Sequence, residues 1–114
     1  MSFQYLQLEQ RDQVATVWIN RAEMHNAFNT QVIEELHRCF SELNTRDDVR
    51  VVILAGRGKS FSAGADLNWM KEAGQASQAE NEADALKLAK MLQSLATLKQ
   101  PTIARVQEIG RAHV

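Results

Sequence analysis

The amino-acid sequence predicts an α/β fold, and three observations support that prediction. Stretches with strand-like alternation or β-branched composition occur in the first twenty residues, around residue 51 and after the single proline. Between them lie segments whose apolar residues recur at helical spacing. The run of apolar residues at 51–55 is short and bounded by polar residues, which is typical of a strand covered on both faces. The predicted order of elements, ββ-α-β-α-α-β, is that of an α/β chain.

The first two strands form a predicted hairpin over residues 3–20. Leu6 and Leu8 alternate with polar residues, and the segment 14–19 is rich in strand-forming side chains. The polar segment 10–13 between them provides the turn.

A helix is predicted over roughly residues 30–44, after a loop at 21–28. Asn29 or Thr30 can cap its N-terminus. Its apolar residues form a single stripe, which predicts that one face is buried. The stripe consists of Val32, Ile33, Leu36, Cys39, Phe40 and Leu43.

Two more helices and a strand follow the apolar run. A glycine-rich loop spans 56–64, a short helix runs from about Asp66 to Lys71, and the pattern breaks between Gly74 and Ser77. A longer helix is predicted over roughly 79–97, and a strand over 102–106 begins directly after the proline. The predicted buried face of the longer helix carries Leu88, Met91, Leu92 and Leu95.

Composition and charge exclude several classes of protein. The chain has 114 residues, 45% of them hydrophobic, and 14 acidic against 13 basic side chains give a net charge of -1. A chain of this length fits one globular domain at most. The nearly balanced charge argues against a nucleic-acid-binding protein, which normally carries a basic stripe. One cysteine, no signal-peptide pattern and no long apolar run predict a soluble, cytoplasmic protein with no membrane partner.

Two kinds of site are excluded by spacing. Gly58, Lys59 and Ser60 follow a buried strand, as in a phosphate-binding loop, but Ile53 stands where the first glycine of such a loop is needed. We therefore reject a nucleotide triphosphatase. The histidines and the single cysteine lack the spacing of metal ligands, so no metal site is predicted.

The segment 61–70 carries the strongest candidate site. Small side chains at 62–65 let a ligand approach the backbone, and Asp66 then opens a helix whose first N–H groups are unpaired. A backbone N–H in that place is suited to stabilising an oxyanion. From the residues alone, an ordinary strand-to-helix connection explains the same pattern equally well.

Four segments resemble the enoyl-CoA hydratase/isomerase (crotonase) superfamily in their order and spacing. They are residues 20–28, 51–56, 61–67 and 101–107. The continuation Asn68 to Lys71 is more similar to the methylglutaconyl-CoA hydratase branch. Ala22 departs from the proline that is usual in the family's first loop.

The resemblance implies a crotonase-type ββα spiral that assembles into homotrimers or hexamers and acts on acyl-CoA thioesters. Coenzyme A would be part of the substrate, so no separate cofactor is expected. Ala65 falls where family members offer one of two backbone N–H groups to the thioester carbonyl. The implied substrate-binding residues are Ala63, Gly64, Asp66 and Leu67 in the acyl-binding segment, and His25 and Ala27 in the loop against coenzyme A.

The resemblance covers residues 1–107. It implies that, in family members, the second oxyanion donor and the catalytic glutamates lie further along the chain than this part. Residues 108–114 lie outside the four segments that carry the resemblance, and they resemble the translation of a common sequencing-library adapter. We therefore expect an artefactual tail on a truncated, N-terminal part of the spiral. We also expect the 114-residue chain to be inactive, and to aggregate or be molten because the stripe of helix 30–44 and strand 51–55 lose their cover.

The implied function of the whole protein is hydration of a 2-enoyl-CoA thioester in fatty acid or branched-chain amino acid catabolism, with 3-methylglutaconyl-CoA as a candidate substrate. Two alternatives remain open. One is another crotonase chemistry, either an enoyl-CoA isomerase or an acyl-CoA thioester hydrolase. The other is a non-catalytic truncated subunit that joins full-length protomers.

Overall fold

A four-stranded mixed sheet is the framework of residues 2–107, which are the residues that the computed structural model describes. Strand β1 (Leu6–Arg11) pairs antiparallel with β2 (Val14–Ile19). Strand β3 (Val51–Gly56) pairs parallel with β2 on one side and with β4 (Thr102–Arg105) on the other. The α/β fold is confirmed, and the predicted tail at 108–114 lies outside the described residues.

Three α-helices within residues 2–107 follow the predicted order. They are α1 (Thr30–Leu43), α2 (Leu67–Gln75) and α3 (Gln78–Ala96). Each begins with a polar side chain that accepts a hydrogen bond from the backbone N–H three residues further on. These capping residues are Asn29, Asp66 and Ser77. Within residues 2–107, no helix combines the length and hydropathy that a membrane span requires.

The core lies between α1 and the inner face of the sheet. Every residue of the predicted α1 stripe is at most 2% exposed. It packs in one cluster with the inward-facing residues of β2 and β3 and with Met91 of α3. The expectation that this stripe would lack cover is therefore wrong, because α3 packs against α1.

The outer side of the sheet is less covered than the sequence predicts. On this side of β3, Ala55 is buried, but Val51 and Ile53 are only partly so. Strand β4 beside them is exposed along its whole length, and its Ile103 is 56% exposed. Burial of β3 on both faces, as expected of a central parallel strand, is thus incomplete in the described residues.

The hairpin turn and the end of α2 differ from the predicted boundaries by more than one residue, and one residue predicted to be buried is exposed, each for a local reason. The hairpin turn is only Asp12 and Gln13, and Asp12 adopts the left-handed conformation (φ 54°) that aspartate tolerates. Helix α2 continues through Gly74, because one glycine costs a helix only about 1 kcal/mol, and the break falls after Gln75. On α3, Leu92 is 51% exposed, because it is rotated away from the buried Met91.

Candidate functional site

Two loops meet at one edge of the sheet. The first loop (residues 21–28) follows β2 and the second loop (residues 57–66) follows β3. Because β2 and β3 are parallel neighbours, their carboxyl ends bring both loops to the same edge, which is where open α/β sheets bind ligands.

Hydrogen bonds join the two loops along their length. The Ala63 N–H donates to the His25 carbonyl oxygen at 2.9 Å, and the Ser62 hydroxyl donates to the Asn26 carbonyl oxygen at 3.0 Å. Phe28 makes two further bonds, donating to the Gly64 carbonyl oxygen at 2.7 Å and accepting from the Asp66 N–H at 2.8 Å. The two loops therefore form one rigid unit.

Asn26 is the centre of this unit, and sequence reasoning missed it. It is fully buried, and its Nδ2 donates to the carbonyl oxygens of Arg57 (2.9 Å) and Ser60 (2.7 Å). Its Oδ1 accepts from the Arg21 N–H at 2.8 Å. His25 and Asn26 both adopt left-handed backbone conformations, with φ of 52° and 57°. An asparagine between loop residues was the available signal, since asparagine favours that conformation.

The N–H of Ala65 is directed by its neighbours. Ala65 forms a parallel bridge with Phe28, and the bonds of that bridge are made by Gly64 and Asp66 on either side. Successive residues of extended backbone turn their N–H and C=O groups to opposite sides, so the Ala65 N–H points away from Phe28. Among residues 2–107 it has no hydrogen-bond acceptor. Gly64 makes the preceding turn with φ of 85°.

A cleft of about 610 Å³ lies beside this bridge. It brings together six of the seven predicted site residues, and the seventh, Gly64, is not part of its wall but shapes the turn before Ala65. The predicted residues in the wall are His25, Ala27, Ala63, Ala65, Asp66 and Leu67. The wall also contains five residues that were not predicted as site residues: Glu23, Met24, Asn68, Met70 and Lys71.

The mouth of the cleft is apolar with charged groups among its wall residues. Met24, Leu67 and Met70 are 38%, 70% and 47% exposed, although large apolar side chains are normally buried. Helical spacing could have identified Met70 and Lys71, since both lie one turn after Leu67 on α2. The arrangement places an N–H donor beside apolar surface, where a hydrogen bond to a charged oxygen is stronger than in water.

The Asp66 carboxylate is committed to structural partners. It accepts from the Trp69 N–H at 2.9 Å and lies 2.8 Å from Nη1 of Arg21. The Trp69 N–H, and then the Arg21 guanidinium, hold the pKa of Asp66 below its usual value. The side chain is 3% exposed, so it is not free to act as an acid or base in the cleft.

Metal-ligating residues do not gather in the part of the chain that the structure describes. No group of three or more His, Cys, Asp or Glu side chains lies close enough to hold a metal ion there.

Comparison with known proteins gives consistent results in sequence and structure. A sequence model described as "Enoyl-CoA hydratase/isomerase" matches residues 9–112. A short-chain-enoyl-CoA hydratase of Clostridium acetobutylicum is 37% identical over 100 residues, which are 87% of this chain and 37% of that protein. A mitochondrial Delta(3,5)-Delta(2,4)-dienoyl-CoA isomerase of Mus musculus is 34% identical over 95 residues, which are 83% of this chain and 28% of that protein.

Among solved structures, an enoyl-CoA hydratase from Shewanella pealeana superposes with a TM-score of 0.89 at 34% identity. The match covers 92% of this chain and 40% of that one. The chain thus spans less than two fifths of the length of the curated relatives named above.

Proposed function

Because the chain belongs to the enoyl-CoA hydratase/isomerase family, we propose that it forms the acyl-CoA-binding part of an enoyl-CoA hydratase. The proposed reaction of the whole protein adds water across the 2,3 double bond of a CoA thioester. The observation that carries the proposal is the Ala65 N–H, which points away from its bridge partner Phe28, has no acceptor among residues 2–107 and belongs to a residue in the cleft wall.

The chemistry requires such a donor. When the oxygen of water attacks C3, the electron pair of the double bond moves toward the thioester, and negative charge collects on the carbonyl oxygen. A fixed N–H near that oxygen stabilises the charge without reorganising, and one donor of this kind contributes roughly 10²–10³ in rate. The bonds of Phe28 on both sides of Ala65 supply the fixation.

The proposal assigns separate tasks to this chain and to the rest of the protein. By the family resemblance, the second donor and the catalytic glutamates lie beyond residue 107, and the whole protein is a homotrimer or hexamer. We therefore expect the 114-residue chain to bind an acyl-CoA without turning it over. A hydration assay that follows loss of the enoyl-thioester absorbance should give no rate above that of buffer.

Replacing one backbone atom tests the role of Ala65. Semisynthesis with lactic acid in place of alanine 65 substitutes an ester oxygen for the N–H and leaves the side chain unchanged. The readout is the carbonyl stretch of crotonyl-CoA labelled with ¹³C at the thioester carbon. We expect binding to lower this frequency in the parent chain, because a donated hydrogen bond weakens the carbonyl, and we expect the ester chain to abolish that shift.

The matched control places the same ester at Ala79, an exposed residue in the first turn of α3. It should leave the shift intact. Equal frequencies in the parent, the residue 65 ester and the residue 79 ester would contradict the assignment of Ala65.

Isomerisation of an enoyl-CoA is the second candidate function. The dienoyl-CoA isomerase of Mus musculus matches nearly as much of this chain as the hydratase of Clostridium acetobutylicum does. The same donor would serve an isomerase, since moving a double bond next to a thioester also places charge on the carbonyl oxygen. The whole protein assayed in H₂¹⁸O separates the two, because only hydration leaves ¹⁸O in the acyl chain of the product.

The finer proposal is that 3-methylglutaconyl-CoA is the substrate. Beyond the resemblance of residues 68–71, it is supported by Lys71 in the cleft wall. The acyl group of this thioester ends in a carboxylate, and an ammonium group at the exposed mouth can pair with it. A pair exposed in this way changes affinity by about twofold to fivefold.

The test compares 3-methylglutaconyl-CoA with 3-methylcrotonyl-CoA, which lacks the carboxylate. The parent chain should prefer the first thioester, and Lys71→Met should remove the preference. Lys59→Met, which changes an exposed lysine of the second loop outside the cleft wall, should retain it. A preference that survives Lys71→Met would exclude this lysine as the recognition group.

A further inference from the structure

We propose that Arg21 is a positioning residue that holds the Ala65 N–H in its direction by clamping the two loops together. This inference rests on the proposed function of Ala65, and it adds a residue that does not line the cleft.

One nitrogen atom makes the clamp. Nη1 of Arg21 donates to the Ala27 carbonyl oxygen at 2.9 Å and lies 2.8 Å from Oδ2 of Asp66. Ala27 directly precedes Phe28, and Asp66 directly follows Ala65. The guanidinium therefore ties together the chain segments on the two sides of the Phe28–Ala65 bridge.

The direction of the Ala65 N–H depends on that tie. The bridge consists of two bonds, from the Phe28 N–H to the Gly64 carbonyl oxygen and from the Asp66 N–H to the Phe28 carbonyl oxygen. If the loops separate, both bonds lengthen, and nothing else in the hydrogen-bond pattern described above orients the peptide group before Ala65.

The clamp is buried and is held from its other side. The side chains of Arg21 and Asp66 are 10% and 3% exposed, so water competes little for their ion pair. The guanidinium carbon lies 5.2 Å from the centre of the Tyr5 ring, and the Arg21 N–H is bound by Asn26. The folded position of each of these two charged side chains depends on the other, because an unpaired buried charge is strongly unfavourable.

Amide hydrogen exchange of the 114-residue chain, without ligand, tests the clamp directly. The reporters are the Phe28 and Asp66 N–H groups, which make the bridge bonds, and the sheet is monitored through Val17 and Val52. The first variant is Asp66→Asn, which keeps a good helix cap but removes the charge. We expect exchange of both reporters to become about tenfold faster or more, since a hydrogen bond to a charged group is worth at least that factor.

Two substitutions of Arg21 complete the series. Arg21→Gln should accelerate both reporters further, and Arg21→Lys should restore part of the protection because it keeps the charge and one donor. Arg46→Gln is the matched control, because it breaks an exposed ion pair with Asp48. It should leave both reporters unchanged. If Arg21→Gln unfolds the chain, the comparison of Asp66→Asn and Arg21→Lys with the parent decides the matter.

The outcomes separate the clamp from the proposed function. Reporters that exchange at parental rates in Asp66→Asn and Arg21→Lys would overturn the clamp, and so would equal acceleration of Val17 and Val52, which indicates general destabilisation. The carbonyl frequency of bound crotonyl-CoA is the second readout, and Asp66→Asn should reduce its shift. No shift in the parent chain would count against the function of Ala65, while the exchange rates would still test the clamp.

Discussion

Replacing Gly56 with alanine measures how tightly β3 is joined to the second loop. A Cβ at this position would lie 2.6 Å from the Phe61 carbonyl oxygen, 2.9 Å from Phe61 Cα and 2.9 Å from Nδ2 of Asn26. Two of these atoms belong to the backbone, so rotation of a side chain cannot relieve the clash. Overpacking costs roughly 1–3 kcal/mol, and displacement of the Asn26 amide would weaken two hydrogen bonds worth about 1 kcal/mol each.

We therefore expect Gly56→Ala to lower the free energy of unfolding by on the order of 3 kcal/mol. Urea titration of the dilute chain, monitored by circular dichroism, measures this decrease in the free energy of unfolding. Gly74→Ala is the matched control, because an added Cβ there meets no atom within 4 Å. Inside α2 that change should stabilise by about 0.5–1 kcal/mol. If both variants unfolded at the parental urea concentration, the close packing around Gly56 would be refuted.

Three further predictions concern reactivity, pH and association. Burial raises the pKa of Cys39 to about 12, so its thiol should resist a disulfide reagent at pH 8 in the native chain and react fully in urea; rapid native reaction would contradict this. The pKa of Asp66 is lower in the folded chain than its ordinary value of about 4. The ionised carboxylate therefore stabilises the fold at pH values above about 4, and this stabilisation is lost as the pH falls through the lowered pKa. The difference in unfolding free energy between the parent and Asp66→Asn should therefore shrink on acidification, and a constant difference would oppose it. Ile103→Lys should reduce association of the chain in sedimentation experiments, because it places a charge on the exposed β4, and unchanged association would exclude this surface.

The helices were predictable to the extent that their signals are local. Asn29 and the apolar stripe are enough to set the start and the buried face of α1, because a cap and a 3.6-residue period depend only on neighbouring residues. The end of α2 was not predictable in this way. Gly74 is unfavourable in a helix by propensity, but the cost of a single glycine, about 1 kcal/mol, is too small to end a helix by itself.

The site was predictable in its position but not in its construction. The small residues at 62–65 and the cap at Asp66 predict a place for a backbone donor, and only the family resemblance singles out Ala65. They do not indicate Asn26 or Arg21, whose partners are up to 45 residues away along the chain, as between Arg21 and Asp66. Those contacts exist only because parallel pairing of β2 with β3 brings the two loops to one edge. Local sequence patterns contain no information on that proximity, which only the family resemblance implied by placing residues of both loops at the substrate.

The use of a backbone N–H as the donor links the stability of the loops to the chemistry. A peptide group has no rotamers, so the Ala65 N–H can turn only if the surrounding backbone moves. The two bridge bonds of Phe28 fix the direction of the Ala65 N–H. The position of Phe28 is in turn fixed by the hydrogen bonds that Arg21 and Asn26 make beside it. Substitutions of Arg21 or Asn26 should therefore change the direction of the Ala65 N–H while the core stays folded. The reason is that local opening of loops requires less free energy than global unfolding.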